Sequence, residues 1–155
     1  MKQNIQRILR TINRLDSEIE KVYKEISAHF DLSETELWVL YELCHSEKPC
    51  TQNDLCKDWF YPAQTIHYAV NTMQKKGYVE LETIPGTKNR KKILLTEEGK
   101  QLAAHTIGKV DEIEKSAILK FTEAEREAYV ALYKRYLKNL KREKLRVLGD
   151  SSKRG

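Results

Sequence analysis

The sequence predicts a mainly α-helical fold with a small β-wing: a winged helix-turn-helix flanked by long N- and C-terminal dimerisation helices. Three observations lead there. Apolar residues recur at steps of three and four along the N-terminal stretch and again near the C-terminus. Between them, residues 32–100 hold short helical patterns separated by capping words and by Pro or Gly. Two alternating segments, 78–84 and 91–95, flank Pro85-Gly86 and a basic tip, which is a hairpin pattern.

The N-terminal seam is Ile5, Ile8, Ile12, Leu15, Ile19, Val22 and Ile26, widened by Leu9 and Phe30 and uninterrupted by Pro or Gly. Alternating three- and four-residue steps are those of a coiled coil. A helix over 4–30 would be about 40 Å long at 1.5 Å per residue, more than one small domain needs. We therefore expect it to pair with a second subunit. Asp31-Leu-Ser33 ends it, and Ser33 with Glu36 forms a capping box for a second helix. The expected buried face of that helix is Leu37, Leu40, Tyr41 and Cys44, with Trp38 flanking. Ser46-Glu-Lys-Pro49 stops it, because the residue before Pro avoids helical angles. Cys50-Thr51 is expected to pair with the wing, and Thr51 with Asp54 caps a short helix reaching Trp59 or Phe60, with Leu55, Cys56 and Trp59 facing the core.

Pro62 stands at the expected first position of the third short helix. Ile66, Ala69, Val70 and Met73 form its apolar stripe. The other side holds Ala63, Gln64, Thr65, His67, Tyr68, Asn71 and Thr72, polar but uncharged until Lys75 and Lys76. An ordinary solvated helix face carries Glu and Lys. Amide, hydroxyl, imidazole and small apolar groups are instead what base edges in the major groove can use. Gly77 is placed to end the helix with a positive φ. Between Pro62 and Lys92 six Lys or Arg face two Glu, a net +4 that is most of the chain's surplus of +5. Lys88 and Arg90, at the hairpin tip, are the expected phosphate contacts. Thr96-Glu-Glu opens a long helix to about Lys120, with Leu102, Ile107, Val110, Ile113, Ala117 and Ile118 as its apolar face. Thr122 with Glu125 caps a last helix bearing Tyr129, Leu132, Tyr133, Tyr136, Leu137 and Leu140. The expected division is 1–31 N-terminal dimerisation helix, 32–100 winged helix-turn-helix, 101–145 C-terminal dimerisation helices and 146–155 a flexible basic tail.

A chain of 155 residues fits one domain, and its charged fraction of 33% suits helices with long solvated faces. The N-terminal stretch is charged throughout and no apolar run approaches the ~20 residues of a membrane span, so a cytoplasmic location without membrane partners is expected. Cys44, Cys50 and Cys56 are odd in number and lack CxxC spacing, so reduced thiols are expected. Catalytic motifs are missing: there is no Gly-rich phosphate loop and no GxSxG. The paired Glu97-Glu98 sits at a helix start, where the macrodipole accounts for it. His29, His45, His67 and His105 show no metal-ligand spacing. No enzyme, cofactor or metal is expected.

The order of elements, together with five words, resembles the MarR family of bacterial winged-helix regulators over nearly the full length. The words are Leu32-Ser-Glu-Thr-Glu-Leu-Trp-Val-Leu40, Thr51-Gln-Asn-Asp-Leu55, Gln64-Thr-Ile66, Met73-Gln-Lys-Lys-Gly-Tyr-Val79 and Leu95-Thr-Glu-Glu-Gly99. The resemblance implies a homodimer that binds double-stranded DNA at a pseudo-palindromic operator, usually as a repressor and occasionally as an activator, switched when a small-molecule effector or an oxidant alters the spacing of its two lobes. It implies base contacts from Ala63, Gln64, Thr65, His67 and Tyr68 and wing contacts from Lys88 and Arg90. Dimerisation would fall to Ile5, Ile8, Ile12, Leu15 and Ile19 with Tyr133, Tyr136 and Leu140. The residues that motivate an effector pocket are Trp38, Tyr41 and His45, for which packing is the competing role. The wing departs from the family, which usually carries an Asp before paired Arg. Here that place reads Thr87-Lys-Asn-Arg90, so the Asp–Arg brace has no counterpart. Two alternatives stand beside this reading: a winged helix that binds protein, and a regulator sensing thiol oxidation. For the latter, Cys50 beside Lys48 is the expected reactive thiol, with Cys44 and Cys56 in the core.

Overall fold

The computed structural model describes residues 2–149. The helices are α1 (Lys2–His29), α2 (Glu34–His45), α3 (Gln52–Trp59), α4 (Ala63–Lys75), α5 (Glu97–Ile118) and α6 (Glu123–Leu148). Strands β1 (Val79–Thr83) and β2 (Lys91–Leu95) lie between α4 and α5. The predicted fold class is the observed one. The chain forms two compact units, Met1–Asp111 and Glu112–Gly155.

In the first unit, local chemistry places each boundary. Ser33 and Glu36 cap each other's backbone at the start of α2 (2.7 and 3.2 Å), and Thr51 with Asp54 repeats the device at α3 (3.0 and 3.2 Å). Pro62 is the residue before α4 rather than its first turn, and its carbonyl accepts from Thr65 and Ile66. Helix α4 closes in a Schellman motif. Gly77, at φ 78°, donates to Gln74 O (3.0 Å) and Tyr78 donates to Met73 O (2.9 Å). Phe60 closes α3 in the left-handed region, φ 56°, a strained conformation for a bulky residue.

The core lies where α2, α4, the hairpin and the first half of α5 meet. Leu37, Val39 and Leu40 of α2 pack with Leu55, with Ile66, Val70 and Met73 of α4, with Val79 and Ile93, and with Ala103, Ile107 and Val110. Ile26 and Phe30 bring the end of α1 against it. Val39 joins the buried face and Cys44 leaves it: Cys44 is exposed, Tyr41 half-buried. In α5, Ile113, Ala117 and Ile118 are exposed, whereas Ala103 and Thr106 are buried. The hairpin is antiparallel, pairing Val79 with Leu95 and Thr83 with Lys91. A third segment joins it, where Ile93 donates to Cys50 O (2.8 Å) and Thr51 bridges Lys92.

Thr96 locks the hairpin to α5. Its hydroxyl accepts from Gly99 N (3.0 Å) and donates to Gly77 O, while its own N–H donates to Tyr78 O (3.1 Å). The first turn of α5 thus lies directly on the Tyr78 peptide.

In the second unit, Thr122 and Glu125 cap α6 reciprocally (2.8 and 3.3 Å). Phe121, Tyr129 and Tyr133 stack along it, with centroids 6.4 and 6.0 Å apart. No α6 residue is buried. The helix runs through Leu148, three residues into the segment expected as a flexible tail, before Gly149 ends it. The remainder of that expected tail, 150–155, lies outside the described residues.

Candidate nucleic-acid interface

Because Ile66, Ala69, Val70 and Met73 are buried, the opposite face of α4 must point outward. Ala63, Gln64, His67 and Tyr68 are exposed, Tyr68 at 77%, and Thr65 is half-buried. All five residues expected to read bases thus lie on one turn and a half of one helix. His67 is not a free side chain. Asn71 Nδ2 donates to its Nε2 (3.0 Å), which leaves Nδ1–H to donate to Gln52 Oε1 (3.2 Å). The imidazole therefore ties the exposed face of α4 to the first residue of α3. Periodicity placed His67 on that face, and only the fold brings Gln52 to it.

The basic residues counted in the sequence do not all remain available. Lys76 pairs with Glu36 (3.1 Å), whose side chain is buried, and Lys92 pairs with Glu82 across the hairpin (3.0 Å). Arg90 faces acids of the preceding elements. It borders a groove of about 450 Å³ together with Glu42, Asp54 and Asp58. The side-chain and backbone hydrogen bonds from Thr51 hold Asp54 below the usual carboxylate range, and the Arg90 charge adds a smaller pull. Lys88, exposed at the tip, has no ion pair among the described residues, and its charge is available for an external anion. The tip is closed without the missing Asp. Ile84 donates to Arg90 O (2.8 Å), and both the hydroxyl and the N–H of Thr87 donate to Ile84 O (2.7 and 3.2 Å).

The expected dimerisation residues share one property. Ile5, Ile8, Leu15 and Ile19 of α1 are between 46 and 55% exposed, and Tyr133, Tyr136 and Leu140 of α6 are exposed as well. Ile12 is half-buried. Isolated exposed apolar residues are ordinary, but a continuous seam of them on a 28-residue helix is not.

Trp38, Tyr41 and His45 are brought together, but as a packed aromatic array. Trp38 stacks on Trp59 (5.0 Å, 24°) and contacts Tyr23 (4.8 Å) and Tyr41 (5.5 Å). Trp59 Nε1 donates to Glu42 Oε2 (3.0 Å). His45 lies over Tyr41 (4.2 Å), hydrogen-bonds Tyr41 O through Nδ1 (2.8 Å) and meets Asp111 through Nε2 (3.1 Å). It also borders a groove of about 500 Å³ floored by Leu95, Ala103 and Ile107, with Lys100 at the edge.

Cys50 and Cys44 are arranged opposite to expectation, whereas Cys56 is partly buried against the core as expected. Cys50 is buried, and burial pushes its thiol up to about 12, helped by Glu42, Asp54 and Asp58. Local sequence showed only Lys48 beside it; folding brings three carboxylates to the groove that Lys48 and Cys50 share. The exposed Cys44 is also raised, by partial burial and then by Asp111. Neither has the lowered pKa of a sensor thiolate. A raised pKa keeps the protonated form until the pH climbs toward it. At pH 8 an aromatic disulfide reagent should therefore leave Cys50 unmodified in the folded chain and modify it only on unfolding. Rapid labelling of Cys50 in the native state, read by mass spectrometry, would revive a redox role.

A recognition-type helix, a capped turn before it and a basic-tipped hairpin behind it define a winged helix-turn-helix. Residues 30–88 match the MarR family model. No curated protein matches the chain. Solved structures share the fold over most of their length. Staphylococcus aureus MepR in its DNA-binding conformation is 22% identical, with a TM-score of 0.73 over 86% of this chain and 98% of that one. A MarR-family transcriptional regulator from Listeria monocytogenes complexed with 26mer DNA is 22% identical, with a TM-score of 0.71 over 90 and 92%. The MarR regulator of Oenococcus oeni is 15% identical, with a TM-score of 0.69 over 84 and 98%. At these identities the likeness is one of fold. Among the described residues no helix is long and apolar enough to cross a membrane.

Proposed function

We propose that this chain is a homodimeric, sequence-specific DNA-binding transcription regulator, a repressor of pseudo-palindromic operators. The observation that carries the reading is the exposed, nearly uncharged polar face of α4 beside a hairpin with an unpaired Lys88 at its tip. Two neighbours of the same fold, MepR and the Listeria regulator, are described bound to DNA, and they support it. In this reading α4 enters the major groove, Gln64 and Tyr68 reach base edges, and Lys88 holds the backbone. Ala63 and Thr65 offer apolar contact to thymine methyl groups. His67 has a double role, reading and bracing, because Gln52 and Asn71 already use its ring nitrogens. An effector that relieves binding would enter the groove beside His45, where Lys100 can take an anionic group and Ala103 and Ile107 an apolar one.

The test is selection of bound fragments from a random duplex library at roughly 150 mM salt, where weak non-specific binding is suppressed. A recovered palindrome with half-sites about one helical turn apart is the expected result. Failure to recover any sequence with folded, dimeric protein would overturn the reading in favour of a protein partner for the winged helix. Single variants divide the roles. Lys88→Ala should weaken all duplexes alike and lower the salt slope by about one. Arg90→Ala should change it less, since Arg90 already faces carboxylates. Gln64→Ala should cost about 1–3 kcal/mol on the operator and little on other sequences, and equal losses on every duplex would remove it from base reading.

A further inference from the structure

A second concentration of positive charge lies outside the winged helix. Residues 134–148 hold seven Lys or Arg and a single acid, Glu143. That is a surplus of six against +5 for the whole chain, so all other residues together are net −1. Six of these cations, Lys134, Arg135, Lys138, Lys141, Arg142 and Arg146, fall on one side of α6 at helical spacing. The apolar Tyr133, Tyr136 and Leu140 fall on the other. All six are exposed. Arg142 and Arg146 flank Glu143, so one carboxylate is shared between two guanidinium groups.

Helix stability does not ask for this arrangement. Cations stabilise a helix only within its last turn, whereas this run begins fourteen residues before Leu148. Lys134–Lys138, Lys138–Arg142 and Arg142–Arg146 are like-charge pairs four residues apart, each mildly destabilising. The long helix α5 mixes signs instead, with three Lys against five acids. A self-repelling face about 18 Å long is relieved by an extended polyanion. The DNA duplex, with one phosphate charge per ~1.7 Å of axis, is the complement that fits its length and regularity.

We propose that the basic face of α6 is a second, sequence-independent binding surface for the phosphate backbone of double-stranded DNA. It lies on a different compact unit from α4 and the wing. The inference does not rest on α4 reading bases; it requires only that backbone binding persist when the winged helix is disabled.

The experiment uses the full chain, a 40-bp duplex of arbitrary sequence and fluorescence anisotropy across a salt series. The triple variant Lys134→Gln, Lys138→Gln, Arg142→Gln keeps helix propensity and leaves the apolar side untouched. It should lower the slope of log K against log salt by between two and three, since each lost phosphate contact is worth about 0.9. A background carrying Gln64→Ala and Lys88→Ala separates the two surfaces. Duplex binding should survive there, and adding the triple change should lower its slope by the same two to three units. An unchanged slope in a triple variant with native circular dichroism overturns the proposal. So does binding of the wild-type chain to phosphatidylserine vesicles, lost in the triple variant, when duplex binding is unaffected by it.

Discussion

Ile19→Asp should convert the protein to a monomer and weaken operator binding by roughly 10²–10⁴-fold, the advantage that two linked half-site contacts hold over one. The position is chosen because Ile19 is 49% exposed and outside the core cluster, so the change does not hollow out the chain's own fold. In a two-fold interface each substitution appears twice, and two carboxylates would enter an apolar seam. Sedimentation at micromolar concentration reads the oligomer and circular dichroism reads the fold. Ile12→Asp should act in the same direction but with some loss of stability, because Ile12 is half-buried within the chain. A folded Ile19→Asp protein that sediments as a dimer with full operator affinity would mean that the α1 seam is not the interface.

Gly99→Ala should destabilise the first unit by at least the ~1–3 kcal/mol of ordinary overpacking, lowering the melting temperature by roughly 2–10 °C. A Cβ there would sit 1.9 Å from Tyr78 O and 2.9 Å from its carbonyl carbon. Those atoms are backbone, tied to Thr96 N–H by a 3.1 Å hydrogen bond, and cannot swing away. Ala is favoured over Gly inside a helix by about 1 kcal/mol, and here the clash outweighs it. Gly108 supplies the internal control on the same helix, with nothing within 4 Å of its added Cβ. Gly108→Ala should therefore stabilise by about 0.5–1 kcal/mol. Calorimetry of the two variants should give opposite signs. A destabilised Gly108→Ala dimer would place a partner chain against that glycine, and a Gly99→Ala chain as stable as wild type would refute the close approach.

What the sequence by itself determined is everything governed by short-range rules. Capping words set the starts of α2, α3 and α6 because a side chain three residues away satisfies the orphan N–H groups. Gly77 set the end of α4, and alternation around Pro85-Gly86 set the hairpin. The apolar stripe of α4 fixed which residues face outward, and so the candidate reading face. Only the tertiary structure decided which charges and thiols remain available, since pairing and desolvation depend on neighbours distant in sequence. Lys76 is held by Glu36, forty positions away, and His67 by Gln52, fifteen away. Cys50 is silenced by burial and by acids from α2 and α3, whereas the sequence offered only its neighbour Lys48. The contact of Gly99 with the Tyr78 peptide is likewise invisible in a sequence, because it arises from two backbones meeting in space rather than from any side-chain pattern.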